Sequence, residues 1–499
     1  MNLLILTLDR WNWAFAEPLG NRWIRTPVLN RLAAMGTVFN QCYATSSDGL
    51  TTWRTLLDPF RVKKDATTLP SVERRSLSRP VVATLSREFG IAGIQSVPTT
   101  QTPGDAAHEC STASLDSLLD SLPQQLARRG WRTRLLTDSE SFTQSNIGFE
   151  TVESMRSSPQ PPNPANSTGS IDPVNSVDSM GAGVPRCAKL LEETELFREF
   201  SCLHETLETL SEASEPFFLA AHFESLARIW DAPYEFRASY VEGDDPDPGD
   251  GAAVPPLPLL PSADPDVRLA VHQAYAGQIS LFDTLLEPLV DWLNESESGR
   301  NTAILLMGVR GVSCHEGTAP PDSPPGTPIR DASDGGLPRD SNGKTALWES
   351  ETSLSADQVH LPVLLRLPQN AAKWTRSASL VTPEDLHIIL RILTQLDIPE
   401  SITERTFIPD EPFPERFDVD HVRDRILITG RGEERSLLTD HWYLRHIPDQ
   451  PPQLFLRRDD PFQANDVSSR CRAIVEALTA LLALPQTTPL PEIVTQEPN

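Results

Sequence analysis

The sequence contains no Cys-X-X-Cys pair. Its six cysteines, Cys42, Cys110, Cys187, Cys202, Cys314 and Cys471, are scattered singly along the chain. That spacing argues against a structural zinc site and fits a reducing compartment. The first apolar run, LLILTL at residues 3–8, is far too short to span a membrane. No charged segment precedes it, and it lacks the cleavable apolar core of an export signal. The expectation is a cytoplasmic protein without a membrane partner. Basic residues are also in short supply. There are 43 against 69 acidic ones, a formal charge of -26. Binding to nucleic acid through a broad basic face is thereby excluded. The charge supports solubility and works against long-range attraction of anions, although a local pocket can still be positive.

What is present is globular: 39% hydrophobic and 22% charged residues over a chain of 499. That length accommodates one large domain and a smaller one. Residues 3–8 read as a buried strand ending at Asp9. Residues 26–35 carry Val28, Leu29 and Leu32 at helical spacing, with Thr26 as cap before Pro27 and Gly36 as terminator. Residues 37–44 read as extended. A helix-then-strand unit runs from about 115 to 136, with Gly130 ending its helix. Further strands are expected at 216–222, 302–307 and 359–366. One long amphipathic helix is expected at 275–293, with Ile279, Phe282, Leu285, Leu286, Leu289 and Leu293 on one face. Short apolar strands alternating with helices predict an α/β fold, a mostly parallel sheet with helices on both faces.

Three stretches break the pattern. Residues 157–185, 243–266 and 318–343 are rich in Pro, Ser, Gly and Asp and read as solvated surface insertions. From about residue 410 the pattern changes to short antiparallel strands at 425–429 and 435–457, then a closing helix at 466–484. The chain therefore divides into an α/β domain over 1–405 and a smaller α+β subdomain over 406–499.

The order of these pieces resembles the sulfatase family, of the alkaline-phosphatase-like superfamily. NLLILTLD looks like its first strand. IRTPVLNRLAAMGTVFNQCYATS (24–46) is similar to its first helix and second strand. LPQQLARRGWRTRLLTD, GFETVE, PFFLAAHFESLARIWDAPYEF, TAILLMGVRG and VHLPVLLRLP follow in the family's order. LFLRRDDPFQANDVS (454–468) resembles its closing motif. The resemblance covers nearly the whole chain and rests on many weak matches in sequence.

What the resemblance implies about chemistry is a set of losses. The family's nucleophile is a formylglycine made from Cys or Ser in a Cys-X-Pro-X-Arg motif. Here the corresponding stretch is SSDGLTTWRTLL (46–57). Arg54 matches the motif arginine, and the nucleophile position falls on Leu50 or Gly49. Neither side chain can become an aldehyde. Ser47, Thr51 and Thr52 are the nearby hydroxyls, and a shifted threonine would need a base or metal to activate it. The family's cation is calcium, which needs several carboxylate or amide oxygens. Its first pair of acids is replaced by Asp9 and Arg10. Its later Asp-His or Asp-Asn turn is replaced by Gly308, Val309, Arg310 and Gly311. Asp9 is the one remnant ligand, so no metal and no cofactor are expected. Ala227 stands where the family has a histidine. Lys344 matches a lysine that contacts sulfate, and His315 and Glu316 resemble a Glu-His turn in altered order.

These substitutions share a logic. Removing a cation from a nest of carboxylates would leave unpaired buried charge. Replacing acids with arginines avoids it. Arg10, Arg54, His222, Arg310 and Lys344 are accordingly the candidates for an anion-binding pocket beside Asp9, the alternative being a structural salt-bridge cluster at the same place. The resemblance implies a sulfatase scaffold without catalysis, with a small anionic ligand or a protein as partner. An active ester hydrolase using Thr51 or Thr52 is the alternative, and a scaffold acting through the Pro-rich insertions is a third.

Overall fold

The computed structural model describes residues 1–59, 62, 120–145, 147–155, 185–255, 257, 264–313, 353–397, 423–430, 434–484 and 488–496. Lys344, His315, Glu316, the 318–343 stretch, nearly all of 157–185 and the 405/406 boundary lie outside these residues.

Eight strands form one sheet, in the order β4-β3-β5-β1-β6-β7-β2-β8. They are β1 (Asn2–Asp9), β2 (Thr37–Tyr43), β3 (Arg132–Thr137), β4 (Thr151–Glu153), β5 (Phe217–Phe223), β6 (Thr302–Arg310), β7 (His360–Arg366) and β8 (Thr375–Ser377). β7 runs against both neighbours, and the remaining pairings are parallel. β1 lies in the middle, and all eight of its residues are buried. A strand covered on both faces reads as a continuous apolar run, which is why NLLILTL was legible. Its side chains alternate between two cores. Leu4, Leu6 and Leu8 face one layer of helices, while Leu3 and Ile5 face the other.

The first layer holds α1 (Pro27–Ala34), and the second holds α2 (Gly49–Leu57) and α3 (Leu122–Arg128). α4 (Glu140–Ser145) follows β3, and α5 (Glu195–Ser211) precedes β5. The helix expected at 275–293 is longer and divided. α6 (Pro265–Leu285) and α7 (Glu287–Glu295) meet at Leu286, two residues before Pro288. Proline suits the first turn of a new helix and cannot continue an old one. The six apolar residues assigned to that helix face are all buried. α8 (Pro383–Leu393) packs on α2 in the second layer.

Two local expectations need correction. Thr26 occupies the cap position of α1, but its hydroxyl accepts from the Glu17 amide at 3.2 Å instead of serving the helix. The amides of Val28 and Leu29 are satisfied by the buried carboxylate of Asp283 on α6, at 3.1 and 2.7 Å. Gly36 follows the helix end because of close approach: a Cβ there would lie 2.2 Å from the Leu365 carbonyl oxygen of β7.

A second sheet is antiparallel, in the order β12-β11-β10-β9. Its strands are β9 (Arg425–Thr429), β10 (Arg435–Thr439), β11 (Trp442–His446) and β12 (Gln453–Leu456). One face joins the second core through Ile426, Ile428, Leu438, Tyr443 and Phe455. The other packs on α9 (Arg472–Leu481) through Leu437, Trp442, Leu444 and Leu454. This is the smaller α+β unit expected after residue 410. Of the 243–266 stretch, residues 243–255 form turns and irregular chain, while Pro265 and Asp266 already belong to α6.

Candidate functional site

In a mostly parallel sheet, ligands bind beyond the carboxyl ends of the strands. Asp9 ends β1, and Arg310 ends the adjacent β6. Along most of this pair the register is regular, with Leu8 opposite Gly308. The next step slips by one residue, so that Asp9 lies opposite Arg310 and Val309 is extra. Such a bulge re-aims side chains at a strand end. The expected turn at 308–311 is therefore mostly strand, since β6 runs through Arg310.

The slip lets Arg310 grip Asp9 with two parallel hydrogen bonds. Nε donates to Oδ1 at 2.5 Å and a terminal nitrogen donates to Oδ2 at 2.8 Å. Fork-on-carboxylate geometry is the strongest form of this pairing. The side chains are 20% and 10% exposed, so water screens the pair little. Burial pushes the Asp9 carboxyl up. The charge and hydrogen bonds of Arg310, then the charges of Arg10 and His222, outweigh it and bring the carboxyl down to about 2.

Arg10 is held on the left-handed side of backbone space, with φ of 61°. A non-glycine residue there is uncommon and needs support from its surroundings. The support is visible: the Tyr275 hydroxyl donates to the Arg10 carbonyl at 2.6 Å and accepts from the Asn12 amide at 2.9 Å. Arg10 is only 6% exposed.

The second wall is the start of α2. Asp48 caps this helix, accepting from the Thr51 amide at 2.8 Å and from the Thr51 hydroxyl at 2.6 Å. Thr52 is buried, and its hydroxyl donates to the Asp48 carbonyl at 3.2 Å. A Cβ on Gly49 would lie 3.3 Å from Val309 and 3.5 Å from the Arg310 stem. The first turn of α2 thus rests directly on the bulge. Arg54 sits one turn further on, half-buried, and its side chain makes no hydrogen bond or ion pair to a described residue.

His222 ends up differently from its neighbours. It is 1% exposed, its Nδ1 lies 2.9 Å from the Thr7 hydroxyl, and its ring stacks on Phe142 of α4 at 3.7 Å. Burial lowers its pKa to about 4, against the pull of Asp9, with Arg310 adding to the drop. At neutral pH it is an uncharged ring beside Asp9.

The family model for sulfatases matches residues 86–396. The chain belongs to the sulfatase family. The solved structures agree on the fold. A phosphonate monoester hydrolase of Agrobacterium radiobacter superposes with a TM-score of 0.57 at 14% identity, covering 96% of this chain and 94% of its own. A 2-O GAG sulfatase gives 0.55 at 13% identity, covering 96% and 90%. A putative sulfatase from Bacteroides fragilis gives 0.54 at 13%, covering 96% and 94%. At these identities the likeness is one of fold. No curated protein sequence matches.

The stretch matched by the sulfatase model begins after Asp9, Arg10 and the 46–57 segment and includes His222 and Arg310. Of the residues singled out in the sequence, the structure brings Asp9, Arg10, His222 and Arg310 together at one strand end of this sulfatase fold. Gly49 and Leu50 stand at the first turn of α2 beside Arg310, at the place expected for a nucleophile. Reasoning from sequence missed three features of the site. They are the bulge at Val309, the Asp48 cap, and the Thr7–His222 contact. The Asp48-x-x-Thr51 spacing is a helix-start signal and could have been recognised. The other two depend on strand pairing, which a single sequence does not display.

Proposed function

We propose that this chain is a non-catalytic sulfatase relative, in which an arginine stands in for the family's calcium and the strand-end hollow takes a small anion. One observation carries the reading: both oxygens of Asp9 already accept hydrogen bonds from Arg310. Calcium needs several oxygen ligands with negative charge to spare. The strongest charges acting on Asp9 come instead from Arg310 and then Arg10. This donor set does not fit calcium. At the expected nucleophile position, Gly49 and Leu50 offer no attacking atom. Among the described residues, Arg10 and Arg310 flank Asp9, with Arg54 near the helix start. A small oxyanion such as sulfate or phosphate is the ligand class this charge favours.

A second reading, an active sulfuric or phosphoric ester hydrolase, has one observation in its favour. The Thr51 hydroxyl donates to a carboxylate, the arrangement of an activated nucleophile. The same Asp48 oxygen also accepts the Thr51 amide, which is how a carboxylate caps a helix. We favour the capping role.

The test is an assay of purified protein with aryl sulfate and aryl phosphate, with and without added calcium, magnesium or zinc. No turnover above buffer is expected. Turnover abolished by Thr51→Val or Thr52→Val would establish the second reading. No described helix is long and apolar enough to cross a membrane. Cys42, Cys187, Cys202 and Cys471 are free thiols, which supports a cytoplasmic setting.

A further inference from the structure

A second cluster of charge lies on the same edge of the sheet, on the far side of β5. Asp138 follows the end of β3. Glu195 and Glu199 stand four apart on the first two turns of α5, hence on one helix face. Each offers a carboxylate oxygen, and these oxygens all lie within 4.8 Å of one another. We propose that this notch binds one hard divalent cation, of the calcium, magnesium or manganese class, separate from the hollow at Asp9.

Three observations carry the proposal beyond mere proximity of acids. Glu199 is 1% exposed, and neither of its carboxylate oxygens accepts a hydrogen bond within standard geometry. Such a group, buried and aimed at two other acids, is costly unless a positive charge joins it. Its nearest described cation is Arg228, whose terminal nitrogen is 3.7 Å from Oε1, beyond hydrogen-bond length. That guanidinium is pinned instead to Glu195. Among the described residues, Arg228 is the guanidinium that reaches this group of three carboxylates. Burial pushes the Glu199 carboxyl well up, against a pull from the Ser225 hydroxyl. Asp138, Asp231 and Glu224 push it further.

The donor set is all oxygen, which selects hard ions over zinc or copper. The Asp138 carboxylate is oriented by the Ser154 hydroxyl, which donates to Oδ1 at 2.7 Å. The Asp231 carboxylate accepts the Glu195 amide at 2.8 Å and fixes the start of α5. Arg228 is 23% exposed, so its head can move to solvent and vacate the notch. It is a resident competitor for the ion.

The experiment is calorimetric titration of the full chain with Ca²⁺, Mg²⁺ and Mn²⁺. One saturable site is expected for at least one of them. Glu199→Gln keeps the shape and removes a ligand charge, and binding is expected to be lost. Asp138→Asn is the second variant, expected to weaken binding by about tenfold or more. Arg228→Gln removes the competitor and is expected to tighten binding about threefold or more. Thermal unfolding without metal verifies that each variant is folded. Absence of saturable binding to the wild-type chain overturns the proposal. So does binding that survives Glu199→Gln unchanged, or that Arg228→Gln weakens.

Discussion

The two charged regions on the carboxyl edge of the sheet are built in opposite ways. Among the described residues around Asp9, cations outnumber the acid, and both carboxylate oxygens accept from Arg310. Among the described residues around Glu199, acids outnumber Arg228, and the buried carboxylate accepts no hydrogen bond within standard geometry. The same residue type is therefore pulled in two directions. Asp9 is held down to about 2, while burial drives Glu199 well above its usual range. Burial alone does not decide the ionisation of an acid; the partner does.

The largest effect should come from breaking the well-paired side. Arg310→Met leaves Asp9 buried without its fork and is expected to destabilise the fold by about 3 kcal/mol. Asp9→Leu combined with Arg310→Met should recover most of that loss, because no unpaired charge remains. Urea denaturation of the single and double variants measures both. Equal destabilisation in the two would show that the pair is not a unit.

Acid is the second way to break the comparison. His222 and His360 are buried, and burial lowers each to about 4. The unfolded chain takes up these protons near pH 6.5 and the folded one only near 4. Their stabilisation is full above pH 6.5 and lost as pH falls through 4. Asp9 adds a further loss between about 4 and 2. Asp283, pushed by burial up to about 6, works in the opposite sense between about 4 and 6. The unfolding midpoint should fall on acidification below pH 6.5, and His222→Gln should flatten that profile. An unchanged slope in the variant would remove His222 from the account.

A smaller effect of opposite sign is expected at the acidic notch. Without added cation, Glu199→Gln should stabilise the fold by about 1 kcal/mol, since an amide avoids the burial of charge. A loss of stability there would show that the wild-type carboxylate is better paired than its geometry suggests. The smallest effect belongs to Arg54. Lacking a described partner, Arg54→Gln should change stability by less than about 0.5 kcal/mol. The same variant should reduce the thermal stabilisation conferred by added sulfate, if Arg54 serves the hollow.

Much of this was legible in the residues. Continuous apolar runs marked β1, β5, β6 and β7, because strands buried on both faces need no alternation. The exchange of acids for Arg10 and Arg310 suggested an arginine paired with Asp9, and the geometry bears out that pair. The break at Leu286 was announced by Pro288 and overlooked, since apolar spacing continues across it. The neutrality of His222 was not legible, because it depends on how deeply the fold buries the ring, with Phe142 of α4 stacked on it. Nor was the notch, because only the fold brings Asp138, after β3, against Glu195 and Glu199 of α5.

The one-residue slip in β6 has a mechanical consequence. A straight strand would show α2 either Val309 or Arg310, since successive side chains point to opposite faces. The slip presents both, so helix and guanidinium share a seat. An oxyanion that drew Arg310 away from Asp9 would shift the stem that lies beside Gly49. Trp53, fully enclosed one turn along the same helix, is placed to register such a shift as a change in its emission. The hollow thus carries its own optical gauge.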